Sequence, residues 1–365
     1  MTRRRAHGSP SAASVEVFSV PKKILKRLGR ASRLLLTSGL LLALSPAAGA
    51  SSQGLTGDIW AHDPSLIQWN GCYYAFSTGH PPLNEGTITI RRACGDLSGP
   101  WELIGTVFDA QPEWIAREIG TKPRHLWAPD ISYHNGKFYL YYAGSTFGSN
   151  VSVIGLATNT TLDPQDPDYQ WIDEGMVIRS YRHNNYNAID PEVFWGDGEA
   201  WLLFGSWWDG IKMRRLDPAT GKPSNQDTTL YSLASRQGAG IEAPALLYRD
   251  GYYYLFVSFD RCCAGRDSTY NIRVGRAQAI TGPYYDRDGV PMLQGGGTLL
   301  MGRGDFPAVD GGTVHVRGAG GQDVFLDGDS WKMVYHWYMD SGAHRMSISD
   351  LSWTDDGWPV MGPIQ

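Results

Sequence analysis

A five-fold repeat is the feature of this sequence that most constrains its fold. Each unit has a short apolar strand, a turn containing Asn-Gly or Asp-Gly, and a second strand rich in aromatic residues. Asn-Gly and Asp-Gly favour the tight turns that join antiparallel strands. The turn glycines recur at a mean spacing of about 64 residues, and they are Gly71, Gly136, Gly198, Gly251 and Gly328.

A repeat of this length that contains several strands is typical of a β-propeller. Each blade buries its faces against its neighbours, and closure of the ring removes open sheet edges. We therefore predict an all-β, five-bladed β-propeller that forms a single domain over residues 51–365. A β-sandwich is the competing fold, but its hairpins need not recur at a long and nearly constant period.

The first 50 residues predict a secretory signal region. A basic stretch from Lys22 to Arg33 precedes an apolar run, LLLTSGLLLA, and Ala48-Gly49-Ala50 matches a small-residue cleavage site. The run is much shorter than the ~20 apolar residues that cross a bilayer, which disfavours the alternative of a membrane anchor. We expect a secreted, extracellular protein that has no membrane association after signal cleavage.

The charge of residues 51–365 excludes one class of partner. Without the leader, Lys+Arg fall from 32 to 23 and Asp+Glu from 37 to 36, so the net charge is −13 rather than −5. Phosphate backbones select basic surfaces, so we expect no nucleic-acid partner. The 14 Trp and 44 Gly residues, with only 19% charged residues, favour a β protein with an aromatic-lined binding surface.

The four cysteines all follow the leader, and their even number fits an oxidising compartment. Three pairings are open. If the adjacent Cys262 and Cys263 join to each other, Cys72–Cys94 is the second bridge and closes one hairpin. The alternative is that all four are buried thiols. A zinc site is not expected, because no CxxC pair occurs.

Three acidic residues precede inner strands of different repeat units. Asp63 and Asp190 each lie eight residues before their turn glycine, and Glu242 lies nine before its own. The inner strands of a propeller run in the same direction along its axis, so we expect these carboxyl groups to converge at one mouth of the channel. An isolated Asp-Pro pair is a common turn former, but three acids in register favour a functional site.

Clustered carboxyl groups repel one another, which raises the pKa of some of them. One protonated and one ionised carboxyl group are the requirement for acid-catalysed cleavage of a glycosidic bond. Asn187 and Ser206 offer neutral hydrogen-bonding groups nearby, and aromatic rings that can stack on sugars flank the inner strands. These rings are Trp127, Phe147, Trp207, Trp208 and Trp337. Packing between blades is the alternative for each ring.

The sequence motifs around these residues resemble those of glycoside hydrolase family 43, and within it most closely those of the fungal-type endo-1,5-α-L-arabinanases. No GxSxG elbow, P-loop, HExxH or dinucleotide fingerprint competes with this reading. The matching motifs span nearly all of the chain after the leader. They are HDPS (62–65), LWAPD (126–130), STFGS (145–149), YNAIDPEVF (186–194), FGSWW (204–208) and GIEAPAL (240–246).

The resemblance implies a five-bladed propeller and a role for each matching residue. Asp63 would be the general base that activates water, Glu242 the general acid, and Asp190 the residue that raises the pKa of Glu242 and holds it in place. Family members invert the anomeric configuration. Trp127 and Phe147 would be sugar-stacking platforms. The resemblance further implies that His62, Asn187 and Ser206 are polar contacts near the scissile bond.

One departure from the family concerns a metal ion. Many bacterial arabinanases have a Gly-His-Asn-Ser segment in the last blade, and its His helps hold a central ion, often calcium. The matching residues 320–323 here read Gly-Gly-Gln-Asp, so that His is absent. We predict no metal ligands and no required cofactor. A structural calcium ion held by His315 or His336 stays open beside the alternative that both are packed, hydrogen-bonded histidines.

The sequence therefore predicts a secreted hydrolase that cleaves internal α-1,5-L-arabinofuranosidic bonds of plant cell-wall arabinan or arabino-oligosaccharides with inversion. We expect it to act as a monomer. One alternative is an exo-acting arabinofuranosidase or β-xylosidase of the same family. The other is a propeller that binds carbohydrate without catalysis.

Overall fold

Five antiparallel sheets form a closed ring, as the repeat predicted, and each sheet is one blade. The computed structural model describes residues 54–196 and 198–365. The predicted signal region lies outside the described residues. Within the described part of the chain, no helix is long and apolar enough to cross a membrane.

The blades follow one another along the chain. Blade one contains β1 (Ser65–Trp69), β2 (Cys72–Ser77), β3 (Thr89–Cys94) and β4 (Glu102–Thr106). The helix α1 (Glu113–Ile119) leads to blade two, which contains β5 (Trp127–His134), β6 (Lys137–Gly144), β7 (Ser152–Asn159) and β8 (Ile172–Ser180). Blade three contains β9 (Glu192–Gly196), β10 (Glu199–Phe204), β11 (Ile211–Asp217), β12 (Lys222–Pro223) and β13 (Tyr231–Ala234).

The last two blades complete the ring. Blade four contains β14 (Ile241–Arg249), β15 (Tyr252–Phe259), β16 (Asn271–Ala277) and β17 (Thr298–Met301). Blade five contains β18 (Gly304–Pro307), β19 (Thr313–Asp327), β20 (Ser330–Tyr338), β21 (His344–Trp353) and β22 (Pro359–Ile364). Short 3₁₀ turns occur at Leu83–Gly86, Gly265–Asp267 and Met292–Gln294.

The turns between the first two strands of each repeat are tight. Asn70 and Gly71 both have positive φ, 48° and 75°, and Trp69 pairs directly with Cys72 across them. This is the backbone that Asn-Gly adopts at low cost. Blade five differs from the prediction by one residue. Asp327 pairs with Ser330, so its turn consists of Gly328 and Asp329 rather than Asp327 and Gly328.

Apolar packing between neighbouring blades closes the ring. Five hydrophobic clusters occur in the described residues, and each joins two adjacent blades. In the cluster between the last blade and the first, Leu66 of β1 packs with Val334 of β20 and Ile348 of β21. The Met346 N–H also donates to the Ile59 carbonyl at 2.8 Å. The first and last blades are thus joined by side-chain packing and a backbone hydrogen bond.

Polar contacts around the axis connect the inner strands. The Val193 N–H donates to Asp130 Oδ2 at 2.9 Å, and the Leu246 N–H donates to Glu192 Oε1 at 2.8 Å. The Leu66 N–H donates to Asp323 Oδ2 at 3.0 Å. In each case a carboxyl group of one blade accepts from the backbone of the next. These three buried acids, which we call the axial carboxyl ring (Asp130, Glu192, Asp323), hold neighbouring blades in register.

Both proposed disulfides are present. Cys72 on β2 bonds to Cys94 on β3 and closes the hairpin of blade one. Cys262 bonds to the adjacent Cys263 in the loop between β15 and β16. We call residues 260–270 the cysteine loop.

Candidate active site

A left-handed residue lies within each inner strand or two residues before it, and two of the three predicted acids occupy this position. The five residues have φ between 35° and 56°, and they are Asp63, Ala128, Asp190, Ala243 and Gly321. Non-glycine residues rarely adopt this conformation, which is strained and concentrates at functional sites. Together with their neighbours they line one small cavity on the propeller axis.

Glu242 does not occupy the equivalent position that the sequence spacing suggested. The left-handed residue of blade four is Ala243, so Glu242 lies one residue earlier. In the same place blade one has His62 and blade two has Trp127. The one-residue difference in spacing from the turn glycine reflects this offset. The three carboxyl groups still converge, because each interacts electrostatically with at least one of the others.

The carboxyl group of Asp63 is held in its ionised form. Its Oδ2 accepts from His62 Nδ1 at 2.8 Å and from Thr78 Oγ1 at 2.8 Å. Its backbone N–H donates to His336 Nδ1 at 3.1 Å. Burial is the largest influence and opposes ionisation, but attraction to His62 and the two side-chain hydrogen bonds outweigh it. The pKa of Asp63 is therefore well below its ordinary value.

The pKa values of Glu242 and Asp190 are shifted in the opposite direction, above their ordinary values. Burial raises the pKa of Glu242, and repulsion from Asp63 adds to this, although hydroxyl donors oppose it. These donors are Ser206 Oγ, 2.6 Å from Oε2, and Tyr270 Oη, 2.7 Å from Oε1. Burial and repulsion from Glu242 raise the pKa of Asp190 well above its ordinary value. The pair therefore retains a proton beside an ionised carboxylate, which is the charge arrangement of an acid–base catalyst.

The other predicted site residues differ in their surroundings. Trp127 directly precedes the left-handed Ala128, whose N–H donates to Thr78 Oγ1 at 2.9 Å. Phe147 lies in the loop after β6, and 79% of it is exposed. Asn187 is buried, and its Oδ1 accepts from Ser152 Oγ at 2.6 Å. Ser206, as described, contacts the carboxyl group of Glu242 rather than standing free for a ligand.

The tryptophans that flank the inner strands differ in their surroundings. Trp207 is 39% exposed, and its backbone N–H donates to the Ile241 carbonyl beside Glu242 at 2.8 Å. Trp337 is not part of the site. It is buried in the cluster between blades four and five, and its indole N–H donates to Ser347 Oγ at 2.9 Å. For Trp337, packing between blades was the correct alternative.

Four residues were not predicted as site residues, although three of them contact Asp63 or Glu242 and the fourth, Tyr338, contacts His62. These are Thr78, Tyr270, His336 and Tyr338. His336 and Tyr338 are two apart on β20, so they point to the same face of the strand, and Tyr338 Oη lies 2.7 Å from His62 Nε2. The His-x-Tyr alternation at the end of an aromatic strand was the available signal. Thr78 directly follows β2 and Tyr270 directly precedes β16, and neither position has a comparable pattern.

The donors around Asp63 do not fit a calcium ion. His62, Asp63 and His336 each bring one ligand atom within 4.8 Å of the others. Calcium takes six to eight oxygen ligands, whereas two of these three groups are imidazoles. His336 Nδ1 already accepts the Asp63 N–H, and His315 pairs with Asp305 at 2.6 Å on the surface. Both histidines thus make a hydrogen bond within the protein.

Gly321 of blade five lies against the carboxyl group of Asp63. At Gly321, where the bacterial segment has His, a Cβ atom would overlap Asp63 Oδ1 and the His336 ring. The φ of 56° adds strain for any side chain. Gly321 thus makes room for the contact between Asp63 and His336.

A closed propeller whose channel mouth holds one carboxyl group with a lowered pKa beside two with raised pKa values has the charge arrangement that glycoside hydrolases use. Comparison with known proteins gives the family. A profile of "Glycosyl hydrolases family 43" matches residues 58–359. This chain belongs to glycoside hydrolase family 43.

Several proteins of this family are similar over most of the chain. The extracellular endo-α-(1→5)-L-arabinanase 1 of Bacillus subtilis is 42% identical over 343 residues, which cover 93% of this chain and 98% of that protein. Arabinan endo-1,5-α-L-arabinosidase C of Emericella nidulans is 35% identical, with 87% and 97% covered. A solved exo-1,5-α-L-arabinanase from a bovine ruminal metagenomic library is 38% identical, with 84% and 99% covered and a TM-score of 0.75.

Proposed function

We propose that this protein is an exported endo-hydrolase that cleaves internal α-1,5-L-arabinofuranosidic bonds of arabinan with inversion. The observation that carries the chemistry is the contrast between Asp63, whose pKa is lowered, and the Glu242–Asp190 pair, whose pKa values are raised. The substrate follows from the similar proteins, since those from Bacillus subtilis and Emericella nidulans are named for endo-action on α-1,5-arabinan.

The roles of the three acids follow from their surroundings. Asp63 accepts a proton from a water molecule as the water attacks the anomeric carbon. Glu242 donates its proton to the oxygen of the leaving sugar, and the C–O bond breaks. Because water attacks from the face opposite the leaving group, the product has the inverted configuration. Asp190 and Glu242 repel each other when both are ionised, and Asp190 Oδ2 accepts the N–H of Ala243, next to Glu242, at 3.1 Å.

The surrounding residues bind and orient the chain of sugars. Trp127 lies beside the general base and Phe147 on the exposed rim, where flat rings can cover the apolar faces of arabinose units. His62 and Asn187 supply polar groups near the scissile bond. Ser206 holds the acid through its hydroxyl group, so its contribution to sugar binding is indirect.

Export is part of the proposal. The basic, apolar and small-residue parts of the leader are those of a secretory signal, and the similar protein of Bacillus subtilis is named as extracellular. An extracellular location fits the two disulfides. It also places the enzyme where plant cell-wall arabinan occurs.

The decisive experiment measures reducing sugar and chain length together on debranched arabinan. The expected result is rapid loss of long chains by the wild type. Glu242→Gln should lower kcat by about 100- to 10,000-fold, the range of a lost general acid, while keeping oligosaccharide binding. Glu102→Gln, which changes an exposed glutamate on β4, is the matched control and should act like the wild type. If the wild type releases no sugar, the protein is a binding propeller and the proposal is wrong.

Exo-action is the second candidate, because the solved relative from the ruminal library is named as an exo-enzyme. The same chain-length assay separates the two modes. Steady release of one small product, with little change in the length of the remaining chains, would assign exo-action. Nuclear magnetic resonance of the first product tests inversion, and a retained anomer would contradict the role given to Asp63.

A further inference from the structure

We propose that Tyr338 and the Cys262–Cys263 disulfide are positioning residues for the general base Asp63, acting through His62. This inference rests on the proposed function, since it assigns a role in the hydrolysis to residues outside the three acids. It follows from an uninterrupted series of contacts from the cysteine loop on the surface to the buried base.

The contacts run through three groups. The backbone N–H of Cys263 donates to Tyr338 Oη at 3.0 Å. The same oxygen shares a hydrogen bond of 2.7 Å with His62 Nε2, and His62 Nδ1 donates to Asp63 Oδ2 at 2.8 Å. Cys263 Sγ also lies 4.0 Å from His62 Nε2. The ring of His62 is therefore held at both nitrogens, with the base on one side and Tyr338 on the other.

The disulfide determines where the Cys263 N–H points. Cys263 has a φ of 64°, which an ordinary L residue rarely adopts, and the covalent ring with Cys262 restricts departure from it. The next residues add support, because the Ala264 N–H donates to Ser268 Oγ at 3.0 Å. An N–H fixed in this way anchors Tyr338 without a rearrangement during catalysis.

Stacking holds the His62 ring from a further direction. The centroids of His62 and His336 are 3.7 Å apart, and His344 meets His62 edge-on at 5.2 Å. Burial and repulsion from His62 lower the pKa of His336 well below its ordinary value, so His336 stays neutral. Without Tyr338, the orientation of the His62 ring would depend on this stacking and on the single hydrogen bond to Asp63. A second hydrogen bond at Nε2 restricts the ring further.

The consequence for the base has a definite sign. The bond from His62 favours the ionised form of Asp63, so loosening His62 raises the pKa of Asp63 and moves the acid limb of kcat/KM to higher pH. None of the variants below replaces another titratable group that interacts electrostatically with Asp63 or His62. These groups are His125, Asp190, Glu242, Tyr270, His336 and His344.

The cysteine loop also contacts Glu242, so the test must separate an effect on the general acid from an effect on the general base. Tyr270, at the end of the loop, donates to Glu242 Oε1 at 2.7 Å. A general loosening of the loop would therefore disturb the acid and shift the basic limb as well. A specific effect on the base shifts the acid limb alone.

The experiment compares Tyr338→Phe, the double variant Cys262→Ser/Cys263→Ser, and a matched control without the other disulfide, Cys72→Ser/Cys94→Ser. Values of kcat and KM on arabino-oligosaccharides are measured across the pH range. Loss of a residue that orients a functional side chain typically lowers activity by about 10- to 100-fold. We expect that loss in kcat for the first two variants, with KM little changed and the acid limb moved up. The control should keep the wild-type profile.

Dithiothreitol provides a second readout. In the Cys72→Ser/Cys94→Ser protein the remaining disulfide is Cys262–Cys263, so reduction should lower kcat and reoxidation should restore it. A rise in KM with unchanged kcat would instead make the disulfide a sugar contact and overturn the inference. A normal profile for Tyr338→Phe, or a joint shift of both limbs, would overturn it as well. An inactive wild type would refute the proposed function rather than this inference alone.

Discussion

Replacing Asp323 with Asn tests the axial carboxyl ring, because this acid is buried and its burial has a measurable cost. Its Oδ2 accepts from Ser65 Oγ at 2.8 Å and from the Leu66 N–H at 3.0 Å. Its Oδ1 accepts the Val324 N–H at 2.6 Å. Burial nevertheless outweighs these hydrogen bonds and raises its pKa from an ordinary 3.8 to about 6.

The sign of the pH dependence follows from this shift. A group that holds its proton more tightly when folded makes the protein most stable below its unfolded-state pKa. The stability then falls as the pH rises from about 4 to about 6. A shift of about two pKa units corresponds to about 3 kcal/mol of unfolding free energy. Asn mimics the protonated acid and has no proton to lose, so it avoids this cost.

The assay is reversible urea unfolding of the wild type and Asp323→Asn at several pH values. The difference in unfolding free energy, variant minus wild type, should rise by about 3 kcal/mol between pH 4 and pH 6 and then level off. Repulsion from Asp323 also raises the pKa values of Asp130 and Glu192, so its removal can only add to the rise. Asp329→Asn, at an exposed turn, is the control. Parallel curves for Asp323→Asn and the wild type would refute the reasoning.

Three further changes test the active site. Gly321→Ala should lower kcat by about 100-fold, because the added Cβ would displace Asp63. Gly328→Ala is the control: its φ is also positive, but no atom lies within 4 Å of the added Cβ, so kcat should not change. Equal kcat values for the two variants would contradict this. Tyr270→Phe removes a donor that lowers the pKa of Glu242, so the basic limb of the pH–rate profile should move to higher pH, and an unmoved limb would disprove the contact. Phe147→Ala should raise KM for long oligosaccharides and leave the unfolding midpoint unchanged, since the ring is 79% exposed; an unchanged KM would remove its role as a platform.

The parts of the fold that the sequence predicts are those set by local turn chemistry and spacing. Asn70-Gly71 and its equivalents specify tight hairpins, and five of them at a nearly constant interval require a ring. The positions of Asp63 and Asp190 follow from that count, because the backbone around each has the same left-handed residue. Both disulfides were also accessible, since joining Cys262 to Cys263 left one partner for Cys72.

The parts that the sequence did not predict depend on backbone geometry without a sequence signature. Ala128 and Ala243 adopt positive φ although neither is Gly or Asn, so the one-residue offset of Glu242 could not be read from residue types. Trp337 and His336 are neighbours on one strand, and alternation directs Trp337 into the core between blades and His336 to Asp63. Hydropathy alone does not show which face of this strand packs between the blades and which faces the channel mouth.

The same left-handed backbone position, here called the axial socket, recurs in every blade. Asp63, Ala128 and Asp190 occupy axial sockets with similar φ, yet only two of these residues bear a carboxyl group. An exchange of side chain at such a socket alters the chemistry of the channel mouth while the supporting blade stays as it was. Substrate preference and reaction type can therefore diverge in this architecture by single replacements, one blade at a time.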